Sequence, residues 1–280
     1  MPTFDTPEPI TATIDLAMGD VRISADDRGA TVVEVQPSDA SNEEDLKVAE
    51  LTRVEYANGQ LLIKGPKLRS WLSKRGGSVD VTIELPAGSH VHGTVGMGDV
   101  DCDGQLGNCR IVTGLGRIGL DQAATLNLKS GTGDISVDRA TGRAEVTAGS
   151  GDVRVGELDG SAVIKNSNGD TWVGVASGDV RLNAANGNIA VDVEHASVVA
   201  KSANGDVRLG EVVRGSVVLE TKIGDLEVGV REGTAAWLDV NARFGHLHNS
   251  LAAAELPEPS SETVEVRART TVGEIVIRRP

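Results

Sequence analysis

The chain of 280 residues carries 41 acidic against 27 basic side chains, a net charge of −14, with 34 glycines and only 2% aromatics. Such a surface repels nucleic-acid phosphates and an anionic lipid leaflet, so no nucleic acid and no membrane insertion is expected. So few aromatics cannot fill the core of a layered domain of this size; a thin core of Val, Ile, Leu and Ala points to a quasi-one-dimensional repeat architecture.

The opening stretch, MPTFDTPEPITATIDLAMGD, has neither the basic n-region nor the apolar h-region of a secretory signal. No run approaches the roughly 18 apolar residues of a membrane-spanning helix, and a cytoplasmic location is the expectation. The first strand phrase is MGDVRISADD, with Gly19 at its turn. Before Gly98 come three further strand-like runs, ATVVEVQ, GQLLIKG and SVDVTIELPAG. Two insertions separate them. SDASNEEDLKVAE is acidic and reads as a short helix. PKLRSWLSKRGG is basic, with Trp71 among Lys67, Arg69, Lys74 and Arg75. This third reads as the same solenoid with longer loops; a separate β-sandwich is the alternative.

From Gly98 the chain becomes regular. Gly-Asp-like pairs begin at Gly98, Gly116, Gly133, Gly151, Gly169, Gly187, Gly205 and Gly224, in steps of 18, 17, 18, 18, 18, 18 and 19, and Gly245 and Gly273 continue less evenly. A fixed short period marks a solenoid. In GDVRVGELDGSAVIKNSN, Val153 and Val155 alternate with Asp152 and Arg154. After the turn cluster GELDG, Ala162 and Ile164 alternate with Val163 and Lys165. Period-two alternation bounded by Gly and Asn is a strand signature. The same phase turns Leu126, Leu128, Val198, Ala200, Val217, Leu219, Leu238 and Val240 inward, and likewise Ile135, Val137, Val207, Leu209, Leu226, Val228, Ile275 and Ile277. A one-residue slip would turn the whole set outward, so the register is specified.

The expected fold is all-β: a single-domain parallel β-solenoid (β-helix) over residues 1–280 with about 18 residues per turn. Residues 1–95 supply N-terminal rungs with long insertions and 96–249 the regular repeats. Residues 250–280 supply a loop insertion, SLAAAELPEPSSE, and a C-terminal capping strand in TTVGEIVIRRP. About ten rungs stacked at roughly 4.8 Å give a rod on the order of 50 Å. The chirality of parallel crossovers predicts a right-handed coil.

The recurrent Gly-Asp pair fits the corners. Gly supplies positive φ, and Asp or Asn accepts from nearby backbone N–H groups. Stacking would align Asp134, Asp152, Asp170 and Asp206, like charges that need N–H donors, an Arg such as Arg154 or Arg208, or a cation between them. A structural role is expected, and a cation ladder on these four is the alternative. Asp170, Asp179 and Asn188 stand nine apart, as in a nonapeptide calcium repeat, but Asp follows Gly directly and the ligand spacing differs. No paired carboxylates stand outside the repeat phase, and outward aromatics are few, Trp172 and Trp237, so no catalytic residue is expected. His90 with His92, and His246 with His248, are i,i+2 pairs lacking a third ligand; these and His195 read as strand histidines. No cofactor and no metal site is expected. Cys102 and Cys109 fall at inward positions across one corner and read as buried hydrophobes; a disulfide is geometrically conceivable there but not expected in a reducing cytoplasm.

Val163, Val199 and Val218 point outward by phase, and Ile223, Phe244 and Val272 replace polar turn residues near the C-terminal end. With Trp172 these form the candidate interaction surface; the alternative is local cover by SLAAAELPEP.

The run VTIELPAGSHVHGTVGMGDVDCDG, followed by SGTGDISV, GSGDVRV, SANGDVRL and TKIGDLEV, resembles a bacterial, particularly actinobacterial, family of β-strand-repeat proteins of unknown function labelled "putative adhesins". The resemblance covers nearly the whole chain. It implies a β-solenoid and no defined chemistry; the short-period β-helix of bactofilins is a fold-level analogy. The expected function is a non-enzymatic scaffold that presents stacked side-chain ladders to a protein partner or to itself. A surface adhesin or carbohydrate-binding protein is the alternative, and a polysaccharide-active β-helix enzyme the third reading.

Overall fold

In a computed structural model, residues 1–66, 77–251 and 262–280 are described. The basic insertion with Trp71 and most of SLAAAELPEPSSE lie outside them. The period-two runs become parallel ladders, and one helix occurs among the described residues. The chain divides into two units, Met1–Asp138 and Arg139–Pro280.

The first unit contains β1 (Thr3–Asp5), β2 (Thr11–Met18), β3 (Val21–Asp26), β4 (Ala30–Pro37), α1 (Glu43–Leu51), β5 (Arg53–Ala57), β6 (Gln60–Lys64), β7 (Val79–Pro86), β8 (His90–Met97), β9 (Val100–Leu115) and β10 (Ile118–Thr132). β2 lies between β6 and β8, and β3 between β7 and β9, all parallel. The order in space therefore departs from the order in the chain: the rung β6/β7 sits outside β2/β3, which the chain builds first. Antiparallel strands close that outer rung. β5 pairs with β6, β4 with β7, and β1 with β4. SDASNEEDLKVAE does form a helix. The Asn42 side chain caps it by accepting from the Glu44 N–H at 3.0 Å, and the acidic first turn suits the helix dipole. Buried Asp45 ties α1 down, accepting from the backbone N–H groups of Ser78 at 2.9 Å and Asp39 at 3.0 Å.

β11 (Ile135–Ala140) spans the division. The second unit contains β12 (Ala144–Ser150), β13 (Val153–Leu158), β14 (Ala162–Asn168), β15 (Thr171–Ala176), β16 (Val180–Asn186), β17 (Ile189–Glu194), β18 (Val198–Asn204), β19 (Val207–Val212), β20 (Gly215–Ile223), β21 (Leu226–Val230), β22 (Ala235–Phe244), β23 (Leu247–Asn249), β24 (Thr263–Val272) and β25 (Ile275–Arg278). One row runs β12-β14-β16-β18-β20-β24-β22 and the other β13-β15-β17-β19-β21-β25-β23, parallel throughout.

The C-terminal strand is not the cap expected from the sequence. β24 and β25 lie between β20/β21 and β22/β23, which form the last rung. The physical reason is apolar content. Val264, Val266, Ala268, Ile275 and Ile277 are all buried, whereas β23 reads LHN; the more apolar strand gains partners on both edges and the polar one is left outside.

The departures from an 18-residue period also acquire causes. The 17-residue step coincides with a register shift between Leu120 and Gln122 where β10 meets β9. The 19-residue step places an extra residue in the turn ahead of Val217, at Gly215 with φ of 95°. Every inward residue named from the repeat phase is buried, except Leu238 and Val240 on the last rung, which are half-buried.

Candidate functional site

The recurring carboxylates serve the backbone. At most of the glycine corners the side-chain oxygen of one rung accepts from the backbone N–H of the same position in the next. In the first unit Asp20 accepts from Asp99 at 2.9 Å and Asp99 from Arg117 at 2.8 Å. In the second, Asp152 accepts from Asp170 at 3.0 Å, Asp170 from Asn188 at 2.8 Å, Asn188 from Asp206 at 2.9 Å, Asp206 from Asp225 at 2.8 Å and Asp225 from Glu274 at 2.7 Å. A turning chain must satisfy its N–H groups, and a carboxylate spends its charge well on one. Asp134 stands at the same corner position in the first unit, where its carbonyl accepts from the Ile118 N–H. Asn188 interrupts the run between Asp170 and Asp206. Asp179 belongs to the other corner and accepts from the Ser197 N–H at 3.2 Å. Arg154 reaches Asp152 at 3.2 Å, while Arg208 turns to Glu227 rather than Asp206. Among the described residues no group of three or more His, Cys, Asp or Glu is placed to hold a metal.

Sequence reasoning missed a second row. Three residues before each corner glycine from Gly116 onward, an inward position takes a polar or Ala side chain. The Ser202, Thr221 and Thr270 hydroxyls donate to the carbonyls of Gly187, Gly205 and Gly224 at 3.2, 3.0 and 3.0 Å. The Asn166 amide donates to those of Gly151 and Gly169 at 3.0 and 2.9 Å. The signal was legible: Thr113, Ser130, Asn166, Ser202, Thr221 and Thr270 break the apolar alternation at one fixed offset.

Glu194 also breaks it, and was missed entirely. It ends β17, stacked between Ala176 and Val212, and is fully buried. One carboxylate oxygen accepts from the Ala196 N–H at 2.9 Å; the other has no hydrogen-bond partner. Burial raises its pKa to about 7, opposed by the backbone N–H groups of Ala196 and His195 and reinforced by Asp179.

Cys102 and Cys109 are buried free thiols. Contact with Cys109, and burial, push the Cys102 thiol well above its ordinary pKa. Ellman's reagent is expected to find essentially no reactive thiol in the native protein and both after denaturation. Fast native labelling would refute closed packing at this corner. His92, His246 and His248 are exposed, His90 and His195 partly so; the His90 ring accepts from the Asn108 N–H at 2.8 Å.

The candidate surface residues separate into two groups. Val163, Val199 and Val218 are half-buried on one outward row, with Arg181 between the first two and Val199 directly beside Val218. Trp172 is 37% exposed, and its indole N–H donates to Asp192 at 3.3 Å. The stronger apolar surface lies at the last rungs. Ile223, Val272 and Phe244 stack in register at 57%, 46% and 61% exposure. Trp237 is 81% exposed beside a recess of about 620 Å³ lined by Arg214, Ser216, Glu262, Val264 and Glu265. The guanidinium of Arg243 lies over the Phe244 ring, 5.3 Å from its centre.

Parallel coils, glycine corners and side-chain-to-backbone ladders define the class: a β-solenoid. The chain belongs to the family described as Toastrack DUF4097, whose model matches residues 12–277. Among solved structures it is similar to a "putative adhesin" from Parabacteroides merdae, with 11% identity over 82% of this chain and 94% of that one and a TM-score of 0.46. It is also similar to a "putative lipid binding protein" from Parabacteroides distasonis, with 10% identity over 100% and 95% and a TM-score of 0.41. A third, a "putative adhesin" from Bacteroides fragilis, has 12% identity over 99% and 95% and a TM-score of 0.33. No curated protein matches the sequence. Among the described residues no helix is long and apolar enough to cross a membrane.

Proposed function

We propose that this protein is a non-enzymatic interaction module, a β-solenoid that offers its stacked outer side chains to a protein partner or to a second copy of itself. One observation carries the reading: the exposed apolar side chains of the last rungs, with Trp237 near the start of β22 and the ladder of Ile223, Val272 and Phe244 at its far end. An exposed apolar ladder that is contiguous across neighbouring rungs, as Ile223, Val272 and Phe244 are, marks an interaction surface. The carboxylates that a catalytic reading would need are engaged with backbone N–H groups. Two buried thiols in contact fit a reducing compartment, and a cytoplasmic setting belongs to this reading.

The test is a photo-crosslinking residue at position 237, with one at exposed Thr13 as the control, irradiated in the source cell. A discrete protein adduct from position 237 and none from position 13 supports the reading. Equal or absent crosslinking from both overturns it.

A further inference from the structure

We propose that the last rung pairs with its counterpart in a second copy of this chain, edge to edge and antiparallel, around a two-fold axis at Asn241. This rests on the interaction-module reading and names the occupant.

Three observations converge. β22 and β23 pair on one side with β24 and β25 and have no strand on the other among the described residues. An unpaired edge strand of ten residues is a template for another strand. The core is open at this edge as well. Leu238, Val240 and Ala242 are half-buried and Leu247 is 48% exposed, whereas Val266, Ala268, Ile275 and Ile277, one rung inward, are fully buried. The fold closes the outer rung of the first unit with antiparallel strands, β5 on β6 and β4 on β7; β22 and β23 have no such cover among the described residues.

The sequence of the edge selects the occupant. Leu238-Asp239-Val240-Asn241-Ala242-Arg243-Phe244 is complementary to its own reverse. With Asn241 opposite itself, Asp239 faces Arg243 of the second copy, and the reciprocal pair forms by symmetry. Val240 then faces Ala242, and Leu238 faces Phe244. Opposite charges and matched apolar pairs across antiparallel strands are the stabilising contacts of a sheet. A closed, isologous contact of this kind stops at two copies.

The experiment is light scattering with size exclusion on the full chain from low micromolar concentration upward, joined to cysteine scanning. The expected mass is twice the 29.1 kDa of one chain. Arg243→Glu should raise the dissociation constant at least tenfold. Asn241→Cys should link two copies by a disulfide under mild oxidation, because residues opposite on antiparallel strands bring their Cβ atoms within about 5.5 Å. Asp239→Cys and Val240→Cys should not, since each faces a different residue. A monomer at every concentration overturns the proposal; an adduct to another protein at position 237 would then leave the interaction module standing. Assemblies larger than two, or a dimer linked through 239 or 240, also overturn it.

Discussion

Raising the pH from about 5 to about 8 should remove roughly 2–3 kcal/mol of stability through the single side chain of Glu194. The carboxyl titrates at its ordinary value of 4.5 when exposed and at about 7 in the fold. Between those values the folded chain holds a proton that the unfolded chain has released. Stability is therefore highest below the unfolded pKa, falls by about 1.4 kcal/mol per pH unit through the window, and stays lost above the folded pKa. The cause is position. Residue 194 occupies the site held by Leu158, Ala176, Val212 and Val230 in other rungs, so an ionised carboxylate has an apolar stack above and below it. Glu194→Gln keeps an acceptor for the Ala196 N–H and cannot ionise. Urea unfolding of both proteins at the two pH values isolates the effect, because other titrating groups cancel in the difference. The variant should gain on the wild type by those 2–3 kcal/mol at the higher pH. A difference that does not move with pH would mean that water reaches the carboxylate.

Gly187→Ala should cost about 3 kcal/mol or more, enough to prevent folding in a marginally stable chain. Gly187 has φ of +142°, a conformation that L side chains rarely adopt, and an added Cβ would lie 2.0 Å from the carbonyl oxygen of Gly169. Two costs add here: backbone strain, and a clash with backbone that cannot step aside without opening the rung below. The same contact repeats down the second unit, from Gly205 onto Gly187 and from Gly224 onto Gly205. Gly29→Ala is the matched control, since an added Cβ there meets nothing within 4 Å. Thermal unfolding of the two variants should differ by far more than either measurement's scatter. If Gly187→Ala unfolds near the wild type, the corners have slack that the stacked glycines do not reveal.

Much of this was legible along the chain. Period-two alternation gave the inward residues, and the 18-residue spacing of glycines gave the corners. Both survive because each depends on local geometry: side chains alternate about a strand, and a tight corner needs positive φ. The pairing of Asp with Gly was legible too, but its recipient was not, since the accepted N–H belongs to a residue 18 or 19 positions on, to residue 99 in the case of Asp20 and to residue 274 in the case of Asp225. Phe244, Ile223 and Val272 stood out as apolar residues at polar turn positions. Their meeting as neighbours required the strand order.

The sequence by itself determined the coil, its register and its corner chemistry. The tertiary structure alone decided which rung lies beside which. Gly273 stacks on Gly224, and Gly245 on Gly273, so the order of the corners is not the order of the chain; at the other end Gly98 stacks on Gly19, and Gly19 on Val79. The physical reason is that every rung carries the same alternating pattern and the same glycine corner. Any rung can dock on any other in register, and only the whole fold distinguishes them. It places the most apolar strands inside, as β24 and β25 show, and leaves Trp237 and Phe244 at an edge with no further strand among the described residues.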